Sequence, residues 1–112
     1  MPNKYNEFII YLKRIKSIEG EGRIEKNSSI VHVPKELSLK ESGYLCGDDD
    51  VFGLKGAVVH NGDKEGGHCI AYVKYGEDWY CFNDSNVRII GENEVLSDVS
   101  KNGILFYFKK ST

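Results

Sequence analysis

The sequence predicts an α+β domain that is mostly antiparallel β-sheet, and three observations carry the prediction. Its apolar residues come in short runs rich in β-branched and aromatic side chains, too brief for helices. Glycine, asparagine, aspartate and serine separate these runs as turn signals. Only residues 91–100 place apolar side chains, Val95, Leu96 and Val99, on one side of a helix.

Taken in order, Phe8-Ile9-Ile10-Tyr11-Leu12 reads as a buried strand that stops at Lys13-Arg14. Residues 16–29 are polar, with Gly20, Gly22, Asn27 and Ser28-Ser29, and read as a turn or flexible excursion. Ile30-Val31-His32-Val33 is a second short strand stopped by Pro34, after which Leu37 and Leu39 alternate with polar residues. The run Asp48-Asp49-Asp50 reads as a solvated loop, since a calcium site needs more ligands at defined spacing. Residues 52–60 form a third strand that ends at the turn signal Asn61-Gly62. Residues 68–75 and 79–84 alternate on either side of a short link and read as a β-hairpin. After the helix, residues 104–108 close the chain as a buried strand.

Composition narrows the functional classes. The 112 residues, of 12.7 kDa, make one domain or a piece of one. Seventeen acidic and fifteen basic residues give a net charge of −2, which argues against a nucleic-acid binder working through a basic face. The longest apolar runs are five residues, against the roughly 20 that a membrane-crossing helix needs. Met-Pro-Asn-Lys-Tyr has no signal-peptide pattern. Cys46, Cys69 and Cys81 form no C-x-x-C pair, so neither a disulfide framework nor a zinc site is expected. They read as reduced thiols, and the expected setting is intracellular, cytoplasmic or nuclear.

The hairpin carries the chemistry. A loop of two residues, Gly76-Glu77, or of four, puts His68, Ile70 and Tyr72 on one face with Trp79, Cys81 and Asn83. A three-residue loop separates His68 from Asn83. Asp84 is expected on the other face with Tyr80 and Phe82 unless a bulge intervenes. A histidine held by an amide or carboxylate oxygen has its tautomer set and its other nitrogen free to take a proton, which is the base half of a nucleophilic triad. Gly66-Gly67, lacking Cβ atoms, lets a substrate backbone come close. His32 and His60 have no acidic partner at useful spacing and read as packed or exposed. Trp79 reads as core, and Lys13-Arg14 as donors to loop carbonyls.

Gly67-His68-Cys69-Ile70-Ala71-Tyr72-Val73, followed by Trp79-Tyr80-Cys81-Phe82-Asn83-Asp84-Ser85-Asn86-Val87, closely resembles the histidine box of ubiquitin-specific proteases. The resemblance extends through residues 8–14, Val31-His32-Val33-Pro34, Phe52-Gly53-Leu54 with Val59-His60-Asn61-Gly62, and Ile104-Leu105-Phe106-Tyr107. It implies the C-terminal sheet half of a papain-like cysteine protease fold, with residues 1–112 as the C-terminal portion of a catalytic domain. His68 aligns with the family's general base, Asn83 with the residue that orients it, and Asp84 with a supporting acidic residue. Gly66 and Gly67 align with the lining of the channel for ubiquitin's Gly-Gly tail.

The family's cysteine box has no counterpart in these residues, and the helical, cysteine-bearing half of the fold is expected to be absent. Cys46 sits in a polar loop, Cys69 points away from the His68 face, and Cys81 occupies a filler position, so none reads as the nucleophile. Two readings follow. The chain is part of a deubiquitinating protease whose nucleophile lies elsewhere, or a non-catalytic ubiquitin-binding or regulatory module derived from one. The implied partners are ubiquitin or a ubiquitinated protein and the missing N-terminal part of the catalytic domain. No cofactor, metal, nucleic acid or membrane is implied. Without its partner the sheet is expected to expose an apolar patch drawn from residues 8–12, Tyr72, Trp79 and residues 104–108.

Overall fold

The computed structural model describes residues 6–18, 23–27, 29–38, 51–61 and 67–110. In chain order the strands are β1 (Glu7–Tyr11), β2 (Ile15–Ile18), β3 (Arg23–Lys26), β4 (Glu36–Ser38), β5 (Val51–Asn61), β6 (His68–Tyr75), β7 (Asp78–Asn83) and β8 (Asn86–Ile90). Helix α1 (Glu92–Asn102) and strand β9 (Gly103–Lys110) follow. Seven strands make one antiparallel sheet in the order β1-β9-β5-β6-β7-β8, with β4 also paired to β5. The expected α+β class, mostly antiparallel sheet with one helix, is the observed one.

Helix α1 covers one face of the sheet. Val95 and Val99 are fully buried there, in a core with Phe52, Leu54, Val59, Trp79, Phe106 and Phe108. Strand β5 lies at the centre of the sheet, paired with β9, β6 and β4, and irregularities interrupt its pairing with β9, the first between Leu54 and Gly56. One unpaired residue, Lys55, resets the alternation, so Leu54 and Ala57 both face inward although three positions apart.

Four expectations are corrected. Residues 8–12 are not a buried strand: β1 is a sheet edge paired only to β9, and Ile9 and Tyr11 are 66% and 64% exposed. Phe8 turns inward, edge-on to Phe52 at 5.0 Å and stacked on Phe108 at 5.3 Å. Of the polar residues read as a turn or flexible excursion, 16–18 and 23–26 form the β2–β3 ladder instead. Its base is closed by Asn27 N–H donating to Arg14 O at 2.6 Å, a backbone bond that needs no apolar pattern. Residues 30–33 are not a strand. Val31 N–H donates to Ser100 O at the end of α1, so that backbone is satisfied by the helix and the strand forms later, as β4. Finally, Tyr72 and Trp79 are core residues, 4% and 2% exposed, and not part of an open patch.

The sequence reading also left residues 86–90 unassigned, whereas they form β8 on the outer side of β7. The readings of Asp48-Asp49-Asp50, Cys46, Leu39 and Gly66 concern positions outside the described residues.

Candidate active site

The β6–β7 hairpin takes the shorter of the two loops compatible with a His68–Asn83 contact. Tyr75 pairs with Asp78, and the two-residue turn is Gly76-Glu77. Gly76 has φ +67°, the left-handed conformation that such tight turns favour at their first position and that glycine adopts freely. This register places Ile70 opposite Asn83 and His68 one step further along the same face. The pair meets diagonally: His68 Nε2 lies 2.6 Å from Asn83 Oδ1.

The atoms involved set the protonation pattern of the ring. An amide carbonyl oxygen only accepts, so Nε2 carries the proton and donates it to Asn83. Nδ1 then holds the lone pair. A neutral imidazole held in this way can accept a proton at Nδ1 without losing the bond that orients it.

Asp84 departs from the expected face. Asn83 pairs with Asn86, leaving Asp84-Ser85 as a second two-residue turn, and Asp84 takes φ 56°. Aspartate is among the few residues that tolerate this region. The turn takes Asp84 out of strand alternation and brings its Oδ2 to 3.7 Å from His68 Nε2. That is too far for a hydrogen bond, but close enough to favour the ring once it is charged. With the Asp84 side chain 77% exposed, solvent screens most of this effect.

The remaining candidates separate. Gly67 stands exposed immediately before β6, while Gly66 lies outside the described residues. Cys69 is exposed on the face opposite His68. Cys81 is 3% exposed, packed in the core opposite Tyr72 and Arg88. Among the described residues no three His, Cys, Asp or Glu side chains come together as a metal site. No helix among them is long and apolar enough to cross a membrane.

Two clusters support the site, and the first had no clear sequence signal. Tyr72 donates to Asp98 Oδ2 at 2.5 Å, and Asp98 Oδ1 accepts from Asn102 Nδ2 at 2.8 Å. Lys26 Nζ then joins Asn102 Oδ1 at 3.0 Å to the carbonyl of His60 at 2.7 Å. Desolvation, followed by the bond to Asp98, raises the Tyr72 pKa above the ordinary phenol value. Arg14 was expected to reach loop carbonyls and does so, with Nη1 donating to Asn27 O and Ser29 O at 3.1 and 2.8 Å. It also reaches the end of α1, through Nη2 to Ser100 O at 3.0 Å. The i, i+4 spacing of Asp98 and Asn102 was visible in the sequence, but their partners come from distant strands.

Comparison with known proteins gives this arrangement its class. The family profile described as "Ubiquitin carboxyl-terminal hydrolase" matches residues 6–107, and the chain belongs to that family. Within it the chain is of the ubiquitin-specific protease type, in agreement with the histidine-box resemblance. Human ubiquitin carboxyl-terminal hydrolase 31 is 38% identical over 93 residues, which are 79% of this chain and 7% of that protein. Ubiquitin carboxyl-terminal hydrolase 25 of Arabidopsis thaliana is 38% identical over 108 residues, 95% of this chain and 16% of that protein. Among solved structures, the Ubp8-Sgf11-Sgf73-Sus1 SAGA DUB module contains a chain that superposes with a TM-score of 0.79 at 30% identity, over 96% of this chain and 24% of that one. The same kind of module bound to ubiquitin aldehyde superposes with a TM-score of 0.78 at 28% identity. The chain spans a quarter or less of the length of each of these relatives.

Proposed function

We propose that this chain supplies the histidine-bearing part of a deubiquitinating cysteine protease, with His68 as general base, Asn83 as its orienting partner and Asp84 as a weak electrostatic support. The observation that carries the reading is the 2.6 Å contact between His68 Nε2 and Asn83 Oδ1, which leaves Nδ1 as the basic nitrogen. A thiol supplied by chain outside this sequence is supported by the two described cysteines, of which Cys81 is buried and Cys69 faces away from His68.

In the reaction, Nδ1 takes the thiol proton and the thiolate attacks the carbonyl carbon of the isopeptide bond after ubiquitin's C-terminal glycine. The tetrahedral intermediate collapses as the imidazolium returns that proton to the leaving lysine amine. Water, deprotonated by the same nitrogen, then hydrolyses the thioester and frees ubiquitin and the thiol. Gly67, exposed immediately before His68, leaves its backbone accessible where a narrow channel for a glycine-rich tail would run.

Reconstitution tests this. Fusing the cysteine-bearing portion of a ubiquitin-specific protease relative ahead of residues 1–112 is expected to restore release of a fluorophore from a ubiquitin–amide substrate. His68→Ala is expected to abolish it, and the chain alone to release nothing. Thiol-sensitive release by the chain alone, or a fusion indifferent to His68→Ala, would overturn the reading. A fusion that stays inactive while the chain alone binds ubiquitin would favour the non-catalytic module.

A further inference from the structure

His60 is buried on β5 directly beneath the residue that precedes His68. It pairs with Cys69, next to the Asn61–His68 pair, and its ring lies on the opposite face of the sheet from His68. A Cβ placed on Gly67 would fall 1.6 Å from His60 Nε2, 2.3 Å from Cε1 and 2.8 Å from Cδ2. The imidazole therefore occupies the space that any other residue at position 67 would need. His60 Nδ1 is buried and has no hydrogen-bond partner among the described residues. The ring is packed closely against Gly67. The backbone below it is also tethered, because its carbonyl accepts from Lys26 Nζ at 2.7 Å.

From this geometry we infer that His60 is a positioning residue for His68, acting through the bare Cα of Gly67. The inference rests on the reading of His68 as general base. Residue 67 enters β6 immediately before His68, so its backbone torsions set where the His68 Cα–Cβ bond points. A flat ring pressed against a Cα that lacks a side chain limits those torsions from one side, while β6 pairing limits them from the other. A base that must keep Nε2 on Asn83 needs that direction held, since small displacements cost a large share of the rate.

Ring-nitrogen NMR on the 112-residue chain tests this without any nucleophile. In the native chain the two His68 nitrogens are expected to show well-separated shifts, as a fixed Nε2–H tautomer requires. Gly67→Ala is expected to bring these shifts together as the contact with Asn83 is lost. His60→Ala alone empties the space against Gly67 and is expected to narrow the separation, whereas in the double variant the added methyl group fills that space and is expected to restore it. Failure of His60→Ala to rescue Gly67→Ala, whether as collapsed shifts or as a chain that stays unfolded, overturns the proposal. So does a Gly67→Ala chain whose His68 tautomer is unchanged. The outcome is separable from the reading it rests on. Should the reconstituted enzyme prove inactive while the tautomer follows His60, the positioning stands and the assignment of His68 as base falls.

Discussion

Arg14 Nε donates to the carbonyl of Gly103 at 2.6 Å, joining two residues 89 positions apart at the junction of α1 and β9. With its bonds to Asn27, Ser29 and Ser100, one guanidinium ties the end of β1, the segment after β3 and the C-terminus of the helix. Burial pushes its pKa down from the ordinary arginine value. The group stays charged at neutral pH, and the positive charge suits a helix C-terminus. Arg14→Ala leaves several inward-facing carbonyls unpaired and is expected to destabilise the chain by about 3–5 kcal/mol. Arg14→Lys is expected to recover less than half of this, because an ammonium cannot span the same carbonyls as a planar fork. Urea unfolding decides the matter, and a loss below about 1 kcal/mol for the alanine variant would refute it.

Tyr72 makes a prediction about alkaline stability. Its folded-state pKa is raised above the usual 10.0, first by desolvation and then by the bond to Asp98. The unfolded phenol gives up its proton near pH 10 while the folded one keeps it, so the unfolded state binds fewer protons and stability falls as pH rises. The contribution is complete below pH 10 and is lost as pH climbs toward the folded value. Tyr72→Phe is expected to cost about 1–3 kcal/mol at neutral pH, the range for a hydrogen bond to a charged group. It should also flatten the decline above pH 10, and parallel wild-type and variant curves in that range would contradict the assignment.

Asn83 and Asp84 both approach His68 Nε2, but unequally. In the reconstituted protease, Asn83→Ala removes the group that fixes the tautomer and is expected to lower kcat by about 10²-fold or more. Asp84→Ala removes an exposed, screened charge and is expected to change kcat by about fivefold at most. Steady-state kinetics with a ubiquitin–amide substrate reads both. The reverse order would make Asp84 the orienter.

Much of the described sheet face away from α1 is exposed and apolar. Ile9, Val58, Val73, Leu105 and Tyr107 line a trough of about 560 Å³ there, and exposed Tyr75, Phe82, Val87 and Ile89 extend the apolar area beyond it. Continuous apolar area of this kind is uncommon on soluble monomers and promotes association. Residues 1–112 on their own are expected to self-associate as concentration rises in sedimentation velocity runs. Paired changes Ile9→Lys and Val73→Lys are expected to hold the chain monomeric while altering stability by only about 0.5 kcal/mol per site. A wild-type chain that sediments as a monomer at every concentration would argue against this.

Residues whose partners are close in sequence were legible before the structure. Alternation placed β6 and β7, and with a two- or four-residue loop it put His68 and Asn83 on one face. The spacing of Val95 and Val99 located α1, and Phe106 and Phe108 marked β9 as a core strand. These follow from fixed periods of two and 3.6 residues, which a linear pattern displays directly. Less visible were elements without an apolar stripe. The polar β2–β3 ladder and the three-residue β4 rest on backbone bonds to neighbours, and β8 was overlooked although its turn, Asp84-Ser85, and its residues Val87, Ile89 and Ile90 were in view.

By itself, then, the sequence determined the antiparallel class, the family and the side of the hairpin on which His68 and Asn83 meet. Only the tertiary structure decided that β1 is an exposed edge, that Asp84 swings back toward His68 through a left-handed turn, and that His60 fills the space beneath Gly67. The reason is physical. Side-chain alternation is a local property of an extended chain, whereas edge position, turn geometry and close packing depend on which distant strand or helix arrives alongside.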